Sequence, residues 1–177
     1  MKNTMSSMWT HTGKHRPAFA ETPGPGQESV WDYPRPPRIA QETRRVEVRS
    51  QGDLIASSAA AVRILETAGP PTFYLPPRDV DRSRLVKSPG GSLCEWKGVA
   101  GYWKLAGTPE EPTVAWSYAT PAEEFEHIRD FVSFYPGRVE CFVGAERVRP
   151  QPGAFYGGWV TDEIVGPFKG EPGTEGW

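Results

Sequence analysis

No stretch of the 177-residue chain approaches the ~20 consecutive apolar residues that a membrane-spanning helix requires, so no such span is expected. Behind Lys2 there is no apolar segment, which gives no support to a secretory leader. Cysteine is scarce. Cys94 and Cys141 are too few for a disulfide framework, and a single bridge is neither demanded nor excluded. Histidine is limited to His11, His15 and His127. A structural zinc wants four Cys or His ligands, usually with a CxxC pair, and the body of the chain offers only Cys94, Cys141 and His127. No metal and no other cofactor is therefore expected. Nor does one sign of charge dominate: a formal net charge of −2 gives no broad attraction to nucleic acid or anionic lipid. The default expectation is a soluble cytoplasmic protein with neither nucleic acid nor membrane as partner.

What the chain does have is nineteen Gly, nineteen Pro and many aromatics, including seven Trp. With plentiful Val and Thr, this favours a mainly β fold with many turns, and the length suits one domain. Residues 1–28 lack apolar periodicity and run into PGPGQES, which predicts a mobile N-terminal arm. Residues 29–177 would form a single compact body. In SVWDYPRPPR, Trp31 and Tyr33 alternate before three prolines, as in an extended segment lying across that body. Two strands flank Gln51-Gly52-Asp53 as a hairpin. Ser57 or Ser58 is placed to cap a short helix over 59–67, stopped by Gly69-Pro70-Pro71. Residues 72–75 read as a strand, followed by a charged loop. A second helix is signalled by Thr120 as N-cap, Pro121 at N1 and Glu123 at N3, with Phe125, Ile128, Phe131, Val132 and Tyr135 at helical spacing. A last hairpin turns at Gly144-Ala145. The aromatic tail, with Phe155, Tyr156, Trp159, Phe168 and Trp177, should dock on the body.

The densest chemistry lies in 93–118, read as strands 93–97, 99–105 and 113–118. Alternation puts Cys94 and Trp96 on one face, with Glu95 and Lys97 on the other, and pairs Trp116 with Tyr118. If these strands are neighbours, Trp96, Trp103 and Trp116 converge. With Tyr118 and Trp159 they are the candidate ligand-binding residues. Such a wall suits a cation, a planar ring or an imide-like group. Three core tryptophans filling a sheet–helix interface is an equally open reading. Cys94, its thiolate stabilised by Lys97, is a candidate nucleophile, but no base stands at short range and His127 falls in the second helix. The catalytic residues stay unassigned beyond Cys94 and Lys97. GEPG and GPFKG do not fit a phosphate-binding loop.

The blocks VWDYPRPPR, RILET, PPTFYLPPRDV, CEWKGVAGYW, VAWSY and FVSFYPGRV occur in an order that resembles the bacterial domain-of-unknown-function family four-two-seven, over roughly 29–177. The ending GGWVTDEIVGPFKG…PGTEGW resembles a longer form of that family. The resemblance implies a β-tent-like domain, mainly β with two short helices (α+β), similar to methionine sulfoxide reductase B and the thalidomide-binding domain of cereblon. Relatives of that type bind small ligands in an aromatic cage, and several hold zinc; the paired CxxC ligands are missing here. The family also carries a nucleotidyltransferase-like label. The leading expectation is a protein that binds a small planar or cationic molecule. The alternatives are an enzyme, nucleotidyl-transferring or thiol-dependent through Cys94, and a self-association module, with a homodimer left open.

Overall fold

The structure, a computed structural model, describes residues 9–108 and 110–177. It is mainly β, built from several small sheets without a closed barrel. In chain order the strands are β1 (Glu28–Ser29), β2 (Arg38–Gln41), β3 (Val46–Ser50), β4 (Asp53–Ser58), β5 (Val62–Leu65), β6 (Thr72–Tyr74), β7 (Leu85–Cys94) and β8 (Gly98–Leu105). They continue as β9 (Ala115–Ser117), β10 (Val132–Phe134), β11 (Glu140–Val143), β12 (Glu146–Arg147), β13 (Arg149–Pro150), β14 (Trp159–Val160) and β15 (Ile164–Val165).

Three sheets carry the fold, ordered β10-β9-β8-β7, β12-β11-β3-β4 and β2-β5-β6. The β3–β4 hairpin turns where the sequence indicates. Gln51 and Gly52 both take positive φ, 52° and 86°, as a tight two-residue hairpin turn demands. The β11–β12 hairpin likewise turns at Gly144 and Ala145. Leu75 and Val132 exchange two main-chain hydrogen bonds of 2.9 Å, which ties the end of β6 to the start of β10.

The β10-β9-β8-β7 sheet is apolar on both faces, and that decides the architecture. One face gives Trp103, Ala115 and Phe134 to the main core, where they meet Val46, Val48, Phe73, Leu75 and Trp159. The other gives Ala100, Trp116 and Tyr118 to a second cluster with Ile64, Tyr74 and Ile128. A third cluster gathers Trp31, Tyr33, Leu65 and Ile164.

Neither expected helix is α-helical. The stretch 59–67 contains strand β5 instead, paired on both sides by β2 and β6. Val62, Ile64 and Leu65 are all buried, and a short β-branched run covered on both faces is better served by a central strand than by two isolated helical turns. Ser58 does accept the N–H of Ala60 (3.0 Å), but this closes a local turn. The second helix shrinks to a 3₁₀ segment, Glu123–Ile128, whose N-cap is Ala122 and not Thr120. Asp130 then takes φ 60°, and Val132–Phe134 continues as β10. The apparent 3.6 periodicity of 125–135 thus joins two elements, because the buried aromatics Phe125 and Phe134 belong to different clusters.

The first eight residues of the N-terminal arm, Lys2 among them, lie outside the described ones. From Trp9 onward the arm lies against the body. Arg16 pairs with Asp32 (2.6 Å), the N–H of Glu21 donates to the Gly166 oxygen (2.8 Å), and Phe19 meets Trp31 edge-on and stacks on Trp177. No helix among the described residues is long and apolar enough to cross a membrane.

Candidate functional site

Register decides which aromatics meet. Across β8 and β9, Tyr102 opposes Trp116 and Trp103 opposes Ala115. Opposed residues of an antiparallel pair share a face, so Trp116 is joined by Tyr102 and not by Trp103. Trp103 faces the main core instead, 8% exposed, with its indole N–H donated to the Ser117 hydroxyl (2.9 Å) and the Arg82 guanidinium 4.4 Å over its ring. Trp159 is also excluded from the expected ligand wall. It is fully buried, stacked on Phe73 at 4.7 Å, and donates its indole N–H to the Phe134 oxygen (2.9 Å). These two tryptophans are core.

Trp96, Trp116, Tyr118, Cys94 and Lys97 do come together, in the wall of a cavity of about 390 Å³. Its back is Tyr74, Trp116 and Tyr118. Trp116 donates its indole N–H to the Tyr74 hydroxyl (3.0 Å), crosses that ring edge-on, and leans on Tyr135 at 4.6 Å. Trp96 donates to Glu66 Oε1 (3.3 Å), and Tyr102 donates to the Ser92 hydroxyl (2.8 Å). The Trp96 and Trp116 indoles and the Tyr102 phenol each donate to a side-chain oxygen, which fixes this part of the wall.

Lys97 departs most from the strand-parity expectation. β7 ends at Cys94, and Glu95, Trp96 and Lys97 form the turn into β8. Gly98 takes φ 97°, a conformation that glycine adopts without strain, and the main chain swings the lysine inward. The Lys97 oxygen accepts the Ala122 N–H (3.1 Å), which anchors the turn. The side chain is only 7% exposed, with Nζ 6.0 Å from the centroid of the Tyr118 ring. Burial works against the ammonium, but Tyr74, Cys94 and Glu66 around it outweigh that and hold its pKa above the ordinary lysine value. Burial raises the Tyr74 phenol, and burial with the Tyr74 and Cys94 side chains beside it raises Tyr118, so both keep their protons. Tyr135 is pushed up to about 12, by burial and then by Tyr102.

The remaining wall comes from segments the sequence offered no reason to combine. Arg35 and Lys169 flank the Trp9 ring at 4.2 and 4.6 Å, and the Trp9 indole N–H is buried without a hydrogen-bond partner among the described residues. Arg35 is engaged at all three nitrogens, by Glu66 Oε1 (3.2 Å), the His11 oxygen (3.1 Å) and the Thr67 oxygen (2.8 Å). Lys169 donates to the main-chain oxygen of Trp177 (3.0 Å), and burial together with Arg35 lowers its pKa. Phe155 and Tyr156 form an exposed edge-to-face pair at the rim. Next to them Gly157 lies flat on Trp116, where a Cβ would stand 2.6 Å from Cζ3. The FYGG run was the one local signal for this part of the site.

The chain matches the family model of the domain of unknown function DUF427 over residues 38–144. It belongs to this family. No curated protein matches it. Within the DUF427 span lie β2 to β11 and the Tyr74, Trp96, Lys97, Trp116 and Tyr118 wall. Trp9, Arg35, Phe155, Tyr156, Gly157 and Lys169 fall outside it, so flanking segments complete the cavity around the DUF427 core.

His127 is exposed on its 3₁₀ segment and does not line the cavity, which leaves Cys94 without an imidazole there. Cys141 is buried in the main core, where desolvation pushes its thiol well up. Among the described residues no three His, Cys, Asp or Glu side chains gather in a way that could hold a metal ion.

Proposed function

We propose that this DUF427 protein binds a small planar molecule in the cavity bounded by Trp96, Trp116, Tyr74 and Tyr118. The observation that carries this is the preorganised aromatic wall around about 390 Å³ of space, with Trp116 locked by Tyr74 and Trp96 by Glu66. Cavities of this size, apolar with a few fixed polar groups, are the usual form of small-ligand sites. The alternative of a bare cation is disfavoured, because Arg35, Lys97 and Lys169 already place three positive charges on the wall against two carboxylates, Glu66 and Glu95. Tryptophan fluorescence during a screen of planar metabolites tests the proposal. A saturable change that Trp116→Phe diminishes while the fold is retained is expected; no saturable change with any compound would overturn it.

A second reading, thiol chemistry, draws on Cys94 and Lys97 meeting at the same wall. Under native conditions iodoacetamide should add one adduct, at Cys94, and leave the buried Cys141 untouched. A Cys94 that reacts no faster than a free thiol removes this reading. Among the described residues nucleotidyl transfer has no carboxylate cluster to rest on, and Glu66 is engaged by Arg35 and Trp96.

A further inference from the structure

Three cations line the cavity, and they are not equivalent. Arg35 spends its donors on Glu66 and two main-chain oxygens, and Lys169 donates to the main-chain oxygen of Trp177. Lys97 has neither arrangement. Among the described residues it makes no ion pair with a carboxylate, although it is 7% exposed; its ammonium hydrogen-bonds the Cys94 side chain, lies 6.0 Å from the Tyr118 ring centroid, and has Tyr74 and Glu66 nearby. Burying an ammonium without a paired carboxylate is costly, and proteins rarely leave one so. The Tyr118 ring face offsets part of that cost, and a bound anion would offset the rest.

We infer that Lys97 is the anion-recognising group of this cavity and that the ligand is a planar aromatic monocarboxylate, its ring lying on Trp116 and its carboxylate on the Lys97 ammonium. The inference rests on the ligand-binding reading above and specifies its chemistry. A carboxylate fits better than a phosphoryl group. Phosphoryl recognition typically draws on a free guanidinium fork or a fan of main-chain N–H groups, and here Arg35 is occupied and a single ammonium supplies one positive charge. The protonated Tyr74 hydroxyl, next to Lys97, is an additional donor to the second carboxylate oxygen.

The test uses four probes that share one ring: 1-naphthoate, 1-naphthamide, 1-naphthylmethylammonium and 1-naphthyl phosphate, titrated calorimetrically into the full-length protein. The acid should bind at least about tenfold tighter than the amide, the scale of one charge-assisted hydrogen bond. Lys97→Met should erase that preference while the amide still binds, and Lys97→Arg should restore it in part. Amide or ammonium binding as tightly as the acid overturns the inference and leaves the pocket reading standing. Phosphate binding tighter than the acid overturns the assignment to a monocarboxylate. If none of the four binds, the inference falls, and the fluorescence screen decides the pocket reading separately. The wild-type comparison decides the matter even if a Lys97 variant folds poorly.

Discussion

Replacing Trp159 by Phe separates the core tryptophans from those of the cavity. The substitution removes the pyrrole part of a ring with no exposed surface, stacked on Phe73, and deletes the N–H donated to the Phe134 oxygen. The two lost carbons are worth about 1.6 kcal/mol at ~0.8 kcal/mol per buried carbon. The vacated space adds about 1 kcal/mol if roughly 40 Å³ stays open, and a buried carbonyl deprived of its donor about 1 kcal/mol more. The sum is about 3–4 kcal/mol, which for a chain of this length lowers Tm by roughly 6–16 °C. Trp116→Phe should cost about half as much, because its ring borders open space and its partner is a phenol oxygen at the cavity wall that can accept from another donor. Urea unfolding followed by far-ultraviolet circular dichroism gives both values on one scale. Ligand titration of the same proteins should show the reverse order, with Trp116→Phe impaired and Trp159→Phe unaffected. If Trp159→Phe costs no more than Trp116→Phe, or abolishes binding in a protein that remains folded, the division into core and cavity is wrong.

Gly157→Ala should weaken 1-naphthoate binding and cost about 1–3 kcal/mol by overpacking against Trp116 and Tyr135. Gly101→Ala, where a Cβ meets nothing within 4 Å, is the control; equal behaviour of the two would show that the 157 loop does not rest on the ring. Glu42 is buried and accepts the Arg44 N–H (2.8 Å), Nε (2.9 Å) and Nη2 (2.8 Å). Burial alone would raise its pKa, but Arg44 overcomes this and holds it below the ordinary glutamate value. A depressed carboxylate stabilises the fold above its unfolded-state pKa, and that contribution is lost as pH falls through the folded value. Glu42→Gln should therefore cost about 1–2 kcal/mol at pH 7, discounted for the partly exposed Arg44, with the gap closing in acid. Urea midpoints at both pH values check this, and a gap that widens in acid would refute it.

Much of the fold was legible because β-hairpins leave local marks. The Gln51-Gly52 turn, the turn at Gly144 and the strand at 72–75 all announce themselves in adjacent residues, and the mainly β class follows from composition. The two helices were misread for a shared reason. A helical period over ten residues requires that all its apolar positions face one core, whereas 59–67 is covered on both faces and 125–135 serves two clusters. That information lies in the partners.

The site shows the same division. Trp116 and Tyr118 share a face by local alternation, and that parity holds in β9 and just beyond it. Whether Trp103 or Tyr102 joins them depends on the register between β8 and β9, which no residue within either strand reveals. Lys97 sharpens the point. Alternation carried through position 97 turns the lysine away from Cys94, but the strand ends at Cys94 and 95–97 form a turn that closes at Gly98 with positive φ, so a tight turn brings the lysine inside. Trp9, Arg35 and Lys169 then arrive from opposite ends of the chain to complete the enclosure. With Arg35 bonded at all three nitrogens and Lys169 donating to a main-chain oxygen, the charge that the chain brings inside at Lys97 is the one we assign to a ligand.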